Sequence, residues 1–382
     1  MDETANAPYP VVLQVLPALD GGGVERGTVE ITQAITRAGG GAVVASAGGR
    51  LVASVERAGG RHVMLPLDSK NPWRIWRNAA RLADVIRERR VDIVHARSRA
   101  PAWSAWLAAR RTGVHFVTTY HAPYGEDFPG KRRYNAVMAK GEIVIAISHF
   151  IAGIIAARHG VAAERIRVIP RGVDPAMFDP TRVSTDRKVK LSRAWRVPDG
   201  QPTIMLPGRL TRWKGQTVLI EALALMRNRE ACVVLVGGDQ GRTKFTAELV
   251  AQAERLGVGQ RVRLVGHCDD MAAALTLSDV VVNPSIAPEG FGRVVIEAQA
   301  MGRVVIGTDH GGAVETIEHG VTGFRVKPDD AAALATGLDA ALAMSAEARA
   351  AMGAAARASV QAKYTTAMMQ AATINVYRDV LG

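Results

Sequence analysis

At 382 residues the chain is longer than one ordinary domain, which favours two, and its 48% hydrophobic and 22% charged residues exclude a disordered protein. It contains no run of about 18 uninterrupted apolar residues, so a membrane-spanning helix is not expected. The formal net charge of +12 lies almost wholly in residues 1–190, where 28 Lys and Arg face 17 Asp and Glu, against 20 and 19 in residues 191–382.

This charge asymmetry indicates that the first half meets an anionic partner, such as acidic lipid headgroups or a phosphorylated acceptor. The alternative is a compositional bias toward arginine, although such a bias alone would make both halves basic.

The first residues of the chain and its two cysteines allow two further predictions. The first ten residues, MDETANAPYP, are acidic and polar rather than basic and then apolar, which predicts a cytoplasmic protein without a secretory signal. Cys232 and Cys268 lie far apart and have no CxxC or histidine companion. Both are therefore predicted to be small core residues rather than members of a disulfide or a zinc site.

Short apolar runs alternate with longer segments of helical period along the first half, a pattern typical of β-α units on a parallel sheet. Seven such runs predict one doubly wound domain. The predicted strands are residues 10–16, 41–46, 62–67, 92–96, 115–120, 143–148 and 166–170.

Residues 181–202 are polar and charged and end near a proline, which predicts a linker or helical connector between two domains. The strand rhythm then restarts and predicts a second α/β domain. Its predicted strands are residues 203–208, 231–238, 261–266, 279–285, 303–308 and 323–327. After residue 329 the chain is Ala-rich and of helical character to its end.

Two basic residues follow the first strand of the second domain in PGRLTRWKGQTVLIEAL. Arg209 and Lys214 are thereby placed at the carboxyl edge of a parallel sheet, where open α/β sheets bind ligands. An Arg fork, a Lys charge and the start of a helix suit a diphosphate. The alternative is two solvated bases in a loop.

The segment APEGFGRVVIEAQAMG places two carboxylates near the end of another strand. Glu289 lies in a loop with glycines, and Glu297 lies about 7 Å along the helix that follows, at 1.5 Å per residue. One carboxylate can hold sugar hydroxyls and the other a ribose diol. The alternative is two solvated glutamates, but the apolar neighbours of Glu297 predict a buried helix in which a carboxylate needs a partner.

Five segments in order resemble the retaining GT-B glycosyltransferases of family four. Glu289 to Glu297 fits that family's Glu-x7-Glu motif, and PGRLTRWKG matches its Arg and Lys diphosphate site. IAISHFIAGII, VIPRGVD and HGGAVETIEHGVTGF complete the set. The resemblance implies an α/β fold of two facing Rossmann-like, doubly wound domains: an acceptor domain at 1–190, a nucleotide-sugar domain at 195–364, and a last helix at about 365–382 that crosses back to the first.

The resemblance also implies roles for residues of the second domain. Arg209 and Lys214 would neutralise the diphosphate, and Glu297 would bind the ribose. Glu289, with the amides of the Gly290, Phe291 and Gly292 loop, would hold the transferred sugar. The backbone at Gly266 and His267 would lie near the base, which the sequence leaves open among UDP-, GDP- and ADP-sugars.

In the first domain, GGGVERG occupies the family's glycine-rich loop, so the backbone of Gly22 and Gly23 would approach phosphate or sugar. It is not the GxGxxG fingerprint, since Arg26 stands where the third glycine belongs. His121 matches the position that reaches the transferred sugar, the alternative being a loop histidine bonded to backbone. Arg171 departs from the family's frequent Asn, and this extra cation would contact donor phosphates or an acidic acceptor.

Family proposals favour a front-face reaction in which the leaving diphosphate helps to deprotonate the acceptor, so the sequence assigns no enzymic nucleophile. No metal or other cofactor is expected, because Arg209, Lys214 and helix termini supply the positive charge.

On the acceptor side, Arg97 and Arg99 follow a predicted strand and KRR at 131–133 adds a basic cluster, which suits an anionic glycan or glycolipid such as lipopolysaccharide core. NPWRIWRNAARLADVIRERR at 71–90 carries Trp73, Trp76 and many arginines, as a helix at the inner face of a membrane would. An ordinary helix with a solvated basic face is favoured, with peripheral membrane contact as the alternative.

Two other classes of function stay open at this point. A nicotinamide-dependent oxidoreductase is disfavoured because the fingerprint glycines are missing. A non-catalytic nucleotide-sugar-binding or scaffold protein is disfavoured because Arg209, Lys214 and Glu289 are all present. No nucleic-acid partner is expected.

Overall fold

The structure, a computed structural model, describes residues 9–382, so the prediction made on the first residues of the chain lies largely outside the described part. Within it the chain forms thirteen strands and fifteen α-helices, besides five short 3-10 helices. The strands are β1 (Val11–Val15), β2 (Gly41–Ser46), β3 (Arg61–Met64), β4 (Ile93–Ala96), β5 (His115–Tyr120), β6 (Ile143–Ala146), β7 (Ile166–Val168), β8 (Thr203–Pro207), β9 (Cys232–Val236), β10 (Val262–Gly266), β11 (Val280–Asn283), β12 (Val304–Thr308) and β13 (Phe324–Val326). The helices are α1 (Gly23–Arg37), α2 (Val52–Arg57), α3 (Pro72–Arg89), α4 (Arg99–Thr112), α5 (Lys131–Asn135), α6 (His149–His159), α7 (Thr185–Trp195), α8 (Gln216–Leu225), α9 (Thr243–Arg255), α10 (Met271–Thr276), α11 (Arg293–Ala300), α12 (Ala313–Thr316), α13 (Ala331–Ala343), α14 (Ala346–Lys363) and α15 (Thr366–Leu381).

The chain divides into two compact units. The first comprises the chain up to Arg171 together with Thr366–Gly382, and the second comprises Gly172–Thr365. Each unit contains one sheet whose strands all run parallel, and all thirteen predicted strands are confirmed, most with ends shifted by one to three residues.

The first sheet has the order β3-β2-β1-β4-β5-β6-β7. The order reverses between β1 and β4, which creates the switch point where doubly wound sheets bind ligands. Most of its strands are runs of Val, Ile and Ala buried on both faces, as parallel strands covered by helices must be. The helices that cover them end sharply: α6 is capped by the Ser148 side chain, which accepts from Ile151 N, and stops at Gly160 in the left-handed conformation.

The second sheet has the order β10-β9-β8-β11-β12-β13, with its switch point between β8 and β11. One apolar core joins its strands to α8, α9 and α13, through residues such as Leu206, Leu219, Leu235 and Leu338. Cys232 and Cys268 are both buried and free, which confirms the prediction that they are core residues.

The last helix, α15, belongs to the first unit. Met369, Val376 and Tyr377 enter the same core as Val12 of β1 and Ile31 of α1. The chain end therefore closes the first unit, as the resemblance implies.

Part of the predicted linker at 181–202 is a helix that belongs to the second unit, which corrects the predicted domain boundary. Residues 185–195 form α7, and this helix packs on α10 of the second unit rather than connecting two bodies. Arg187 holds it there, since Nε and Nη2 lie 2.8 and 2.6 Å from the two oxygens of Asp270. The boundary consequently falls after Arg171 instead of at residue 190. None of the helices within residues 9–382 combines the length and the apolar character needed to cross a bilayer.

Candidate active site

The second unit gathers its candidate residues at the carboxyl edge of its sheet. Arg209 and Lys214 follow β8, and Glu289 follows β11, the two strands that flank the switch point. This placement depends on a close approach of the two loops: a Cβ added at Gly215 would lie 1.9 Å from the carbonyl oxygen of Pro284. Gly215, whose φ is +74°, is therefore required there.

Lys214 and Glu289 form an ion pair with each other. The Lys214 ammonium lies 2.7 Å from Glu289 Oε1, and both side chains are only 13% exposed. The ammonium also lies 4.6 Å from the centre of the Trp213 ring, a cation–π contact. The site thus presents an ordered cation and an ordered carboxylate side by side.

Ser285 and Asn283 complete the surroundings of Glu289. Burial opposes ionisation of the carboxylate, but the charge of Lys214 and hydrogen bonds from Lys214, Ser285 and Asn283 outweigh it and lower its pKa. The backbone carbonyl of Ser285 is itself held by Thr308 Oγ1 at 3.0 Å and His310 Nε2 at 2.8 Å. Glu289 is therefore an ionised acceptor fixed in one place.

The loop after Glu289 is shaped by glycines on a neighbouring segment. Gly312 N donates to Glu289 O at 2.9 Å, and a Cβ at Gly312 would lie 2.4 Å from Phe291 Cα. Phe291 is buried and its ring meets Tyr364 edge to face at 5.5 Å. What Phe291 offers a ligand is therefore its backbone, not its ring.

Glu297 lies in α11, which begins after Gly292 as predicted. Its side chain is 4% exposed, and Arg293 Nε, one turn earlier, lies 3.2 Å from Glu297 Oε1. The partner that a buried carboxylate needs is therefore Arg293.

The remaining second-unit candidates lie on exposed backbone at the same edge. Arg209 is exposed after β8, and the Gln216 side chain holds its carbonyl at 3.0 Å. Gly266 ends β10 with a φ of +72°. His267 follows, and its Nε2 lies 2.9 Å from the carboxylate of Asp269.

The glycine-rich loop of the first unit leads into α1, with Gly22 before its first residue, Gly23. Two buried guanidinium groups approach this helix at Gly27: a Cβ there would lie 3.0 Å from Arg171 Nη1 and 3.1 Å from Arg97 Nη2. Any larger residue at position 27 would therefore displace an arginine.

Arg97 and Arg99 have separate surroundings. Arg97 is 1% exposed and donates to Gln14 Oε1 at 2.9 Å, and burial lowers its pKa more than Tyr377, Glu30 and Glu25 raise it. Arg99 lies 4.2 Å from the centre of the Tyr124 ring and donates to Asn135. In the KRR cluster, Lys131 pairs with Asp127 and Arg132 bonds to the carbonyl of Arg158.

His121 lies beside Arg171. A guanidinium can only donate, so its contact with His121 Nδ1 requires an unprotonated nitrogen there and leaves Nε2 as the ring's donor. Burial, followed by the charges of Arg171 and Arg97, lowers the pKa of His121 well below 6.5. The ring is therefore neutral and carries a proton that it can donate.

A second buried histidine, His95, was missed by the sequence reasoning. Its Nδ1 lies 2.7 Å from Tyr377 OH and its Nε2 2.7 Å from Thr119 Oγ1. Ser285 and Asn283 were missed as well. A signal for all of these existed, since each is a polar residue within or just after an otherwise apolar strand.

Among residues 9–382, no group of three or more His, Cys, Asp or Glu side chains is arranged to hold a metal ion.

Two family models match the chain. Residues 21–177 match the model for Glycosyltransferase Family 4, and residues 188–359 match the model for Glycosyl transferases group 1. A solved glycosyltransferase from Rickettsia africae is 36% identical and superposes with a TM-score of 0.90, over 98% of this chain and 99% of that one. The chain belongs to this family of glycosyltransferases, and its two α/β units have the GT-B fold.

Two further proteins are similar to the chain. The D-inositol 3-phosphate glycosyltransferase of Jonesia denitrificans is 32% identical over 257 residues, which are 62% of this chain but only 60% of that relative. HepE of Anabaena, solved in complex with UDP and glucose, is 24% identical, has a TM-score of 0.86 and matches 97% of this chain and 100% of its own. At that identity HepE shows the likeness of fold alone.

Proposed function

We propose that the chain is a retaining transferase that moves a hexose or related sugar from a nucleoside-diphosphate sugar to an anionic glycan or glycolipid, of which lipopolysaccharide core is one example. The observation that carries the proposal is the Lys214–Glu289 pair at the switch point of the second sheet. A diphosphate needs a nearby cation and sugar hydroxyls need a fixed acceptor, and this pair supplies both.

The second unit is proposed to hold the donor. Arg209 and Lys214 bind the diphosphate, Glu289 and the backbone of Gly290–Gly292 bind the sugar, and Glu297 binds the ribose. The backbone at Gly266 and His267 lies against the base. Arg209 is well suited to this role, because its exposed guanidinium has no ion pair with any residue between 9 and 382.

The first unit is proposed to hold the acceptor. Neutral His121 donates from Nε2 to a sugar hydroxyl, and the backbone of Gly22 and Gly23 faces phosphate or sugar. The buried arginines Arg97 and Arg171 supply positive charge for an anionic acceptor, and Arg99 adds to it. The concentration of basic residues in 1–190 supports this assignment.

The reaction is proposed to follow the front-face course. The bond from the anomeric carbon to the diphosphate breaks, the acceptor oxygen bonds to the same face of that carbon, and the acceptor's proton passes to the leaving diphosphate. Arg209 and Lys214 stabilise the negative charge that develops there, so no metal ion is needed.

Two similarities support a nucleotide-sugar donor and a phosphorylated acceptor. HepE was solved with UDP and glucose, and the relative from Jonesia denitrificans is named for D-inositol 3-phosphate. We propose further that the protein works inside the cell at the inner face of the membrane.

The first test is a thermal-shift panel of UDP-, GDP- and ADP-sugars with NAD as the contrast. A ligand at 100 times its dissociation constant stabilises the folded state by about 2.7 kcal/mol. We expect one sugar nucleotide to raise Tm and NAD to leave it unchanged. A shift with NAD alone would favour the oxidoreductase, and a flat panel would contradict the donor site.

The second test separates catalysis from mere binding. With the donor so identified, we expect hydrolysis or transfer to occur in the presence of EDTA and to be lost in Glu289→Ala while circular dichroism stays unchanged. Proton NMR of the transferred sugar is expected to show the anomeric configuration of the donor. Activity that needs added Mg²⁺ or Mn²⁺, or an inverted product, would overturn the corresponding part of the proposal.

A further inference from the structure

The first unit carries an exposed surface that is both aromatic and basic. Trp73 and Trp76 on α3 are 68% and 52% exposed, and their rings stack with centroids 5.4 Å apart and planes inclined by 20°. We define the α3–α4 surface as these two residues with the neighbouring arginines Arg74, Arg77, Arg81 and Arg111. Two adjacent indoles that leave half or more of their surface exposed form an apolar patch of the kind that interaction sites often contain.

The orientation of α3 explains why these side chains face outward. Its buried stripe, which includes Leu82 and Ile86, faces the unit. Residues four apart lie above one another on a helix, so Trp73, Arg77 and Arg81 form a ridge on the opposite side. Trp76 is turned toward α4, where the Arg111 guanidinium lies 5.6 Å from the centre of its ring.

The charge around the two indoles has one sign. Residues 69–83 contain four basic residues and no Asp or Glu, and α4 contains three arginines and no acidic residue. The acidic residues of α3, Asp84 and Glu88, lie in its second half and pair with Arg87 and Arg89. The half of α3 that carries the tryptophans is therefore basic, without an acidic residue of its own.

We propose that the α3–α4 surface docks the protein on a bilayer that contains anionic lipids. Indole rings favour the boundary between headgroups and acyl chains, and arginines favour the headgroup phosphates. The rings stack on each other and Arg111 lies against Trp76, so the ring left most exposed is that of Trp73. The proposal rests on the proposed function only in that a glycolipid acceptor would lie in the same bilayer.

The test compares matched variants in co-sedimentation with vesicles of equimolar phosphatidylglycerol and phosphatidylcholine, and with vesicles of phosphatidylcholine alone. Trp73→Ala/Trp76→Ala removes the indoles, and Arg74→Glu/Arg77→Glu reverses two charges. Lys190→Glu/Arg193→Glu makes the same charge change on exposed positions of α7 in the second unit. Far-UV circular dichroism verifies the fold of each variant.

We expect wild type and the α7 variant to bind the anionic vesicles alike, and salt to weaken binding. One basic residue near an anionic surface contributes about fivefold to the binding constant, so the charge reversal is expected to lower it at least about twentyfold. The double alanine variant is expected to bind at least about tenfold more weakly. Brominated lipid is expected to quench the tryptophan fluorescence only of protein that retains Trp73 and Trp76.

Three results would overturn the docking proposal: no binding of wild type to anionic vesicles, equal loss in the α7 variant, or variants that bind vesicles normally but lose self-association or oligonucleotide binding. The thermal shift with a nucleotide sugar reads the proposed function separately. It is expected to be the same in wild type and in all three variants, because none of the changed residues belongs to the donor site.

Discussion

At the scale of single residues, the contact between Lys214 and Glu289 could not have been derived from the sequence. The motifs place each residue at the edge of the sheet, but the two are 75 positions apart and their roles were assigned separately. Only the folded chain shows that they neutralise each other and that Gly215 lets their loops meet. Residue types and strand ends can be read from a sequence, whereas distances between loops depend on packing across the sheet.

Glu289→Gln tests whether this carboxylate acts as a charge. The amide keeps the shape and can still accept a hydrogen bond from the ammonium of Lys214, but it carries no charge to balance that largely buried cation. We expect transfer to fall by a factor of about 100 or more, and unfolding free energy to fall by about 1–3 kcal/mol. Turnover of the donor measures the loss of transfer, and urea unfolding measures the loss of unfolding free energy. Glu230→Gln, the same change at an exposed position of the second unit, is expected to alter neither.

Ser285→Ala tests the hydrogen bond that helps to keep Glu289 ionised. Its removal takes a donor from the charged form, so the pKa of Glu289 rises and the acid limb of activity moves to higher pH. The measurement is the pH profile of kcat/KM for the identified donor. In a Glu289→Gln background the same serine change should move nothing, and a shift that persists there would show that another group titrates.

At the scale of elements, the positions of strands are easier to predict than the unit to which each helix belongs. Each predicted strand is an apolar run bounded by polar or turn residues, and each occurs in the structure. The polar composition of 181–202 is equally compatible with a linker and with an exposed helix, and the choice depends on Asp270, far along the chain. For the helix predicted at 71–90, the apolar stripe correctly places Leu82 and Ile86 in the core. The same pattern does not show that Trp73 and Trp76 are exposed.

A buried hydrogen bond of Tyr377 helps to position α15, in addition to the apolar contacts of that helix. Tyr377→Phe removes the hydroxyl that meets His95 Nδ1 and leaves that buried nitrogen without a partner. We expect the unfolding free energy of the first unit to fall by about 1–3 kcal/mol. Hydrogen exchange of α15 and α1 measures this directly.

Tyr9→Phe is the matched control for that change. Tyr9 also meets the same helix through its hydroxyl, at Arg378, but it is 40% exposed. Water can replace the lost hydroxyl there, so an effect within about 0.5 kcal/mol is expected. Equal destabilisation by both changes would show that the buried hydrogen bond to His95 contributes no more to the unfolding free energy than the exposed one.

At the scale of the whole molecule, the two units share an architecture but differ in the charge chemistry at their switch points. The first unit buries arginines beside neutral histidines, and the second buries carboxylates paired with cations. These groups titrate in different ranges of pH. The two units are therefore expected to lose stability to acid separately.

In the first unit, burial followed by neighbouring arginines lowers the pKa values of His95 and His121 well below 6.5. The unfolded chain takes up protons at these rings as the pH falls below 6.5, whereas the folded unit does not. The unfolding free energy of the first unit consequently decreases as the pH is lowered below 6.5, by about 1.4 kcal/mol per pH unit for each histidine. In the second unit the pKa of Glu289 is lowered, so its contribution to stability is complete above the ordinary pKa of a glutamate, about 4.3, and is lost only as the pH falls below that range.

Hydrogen exchange corrected for intrinsic rates, followed from pH 7 to about pH 5, is therefore expected to show protection falling in the first sheet while the second sheet holds. His95→Gln removes one titrating ring and should reduce the slope in the first unit by about 1.4 kcal/mol per pH unit. Because the variant also costs stability at every pH, the slope and not the absolute protection is the quantity that decides. Loss of protection in both sheets with one common slope would mean that the buried histidines do not control the response to acid.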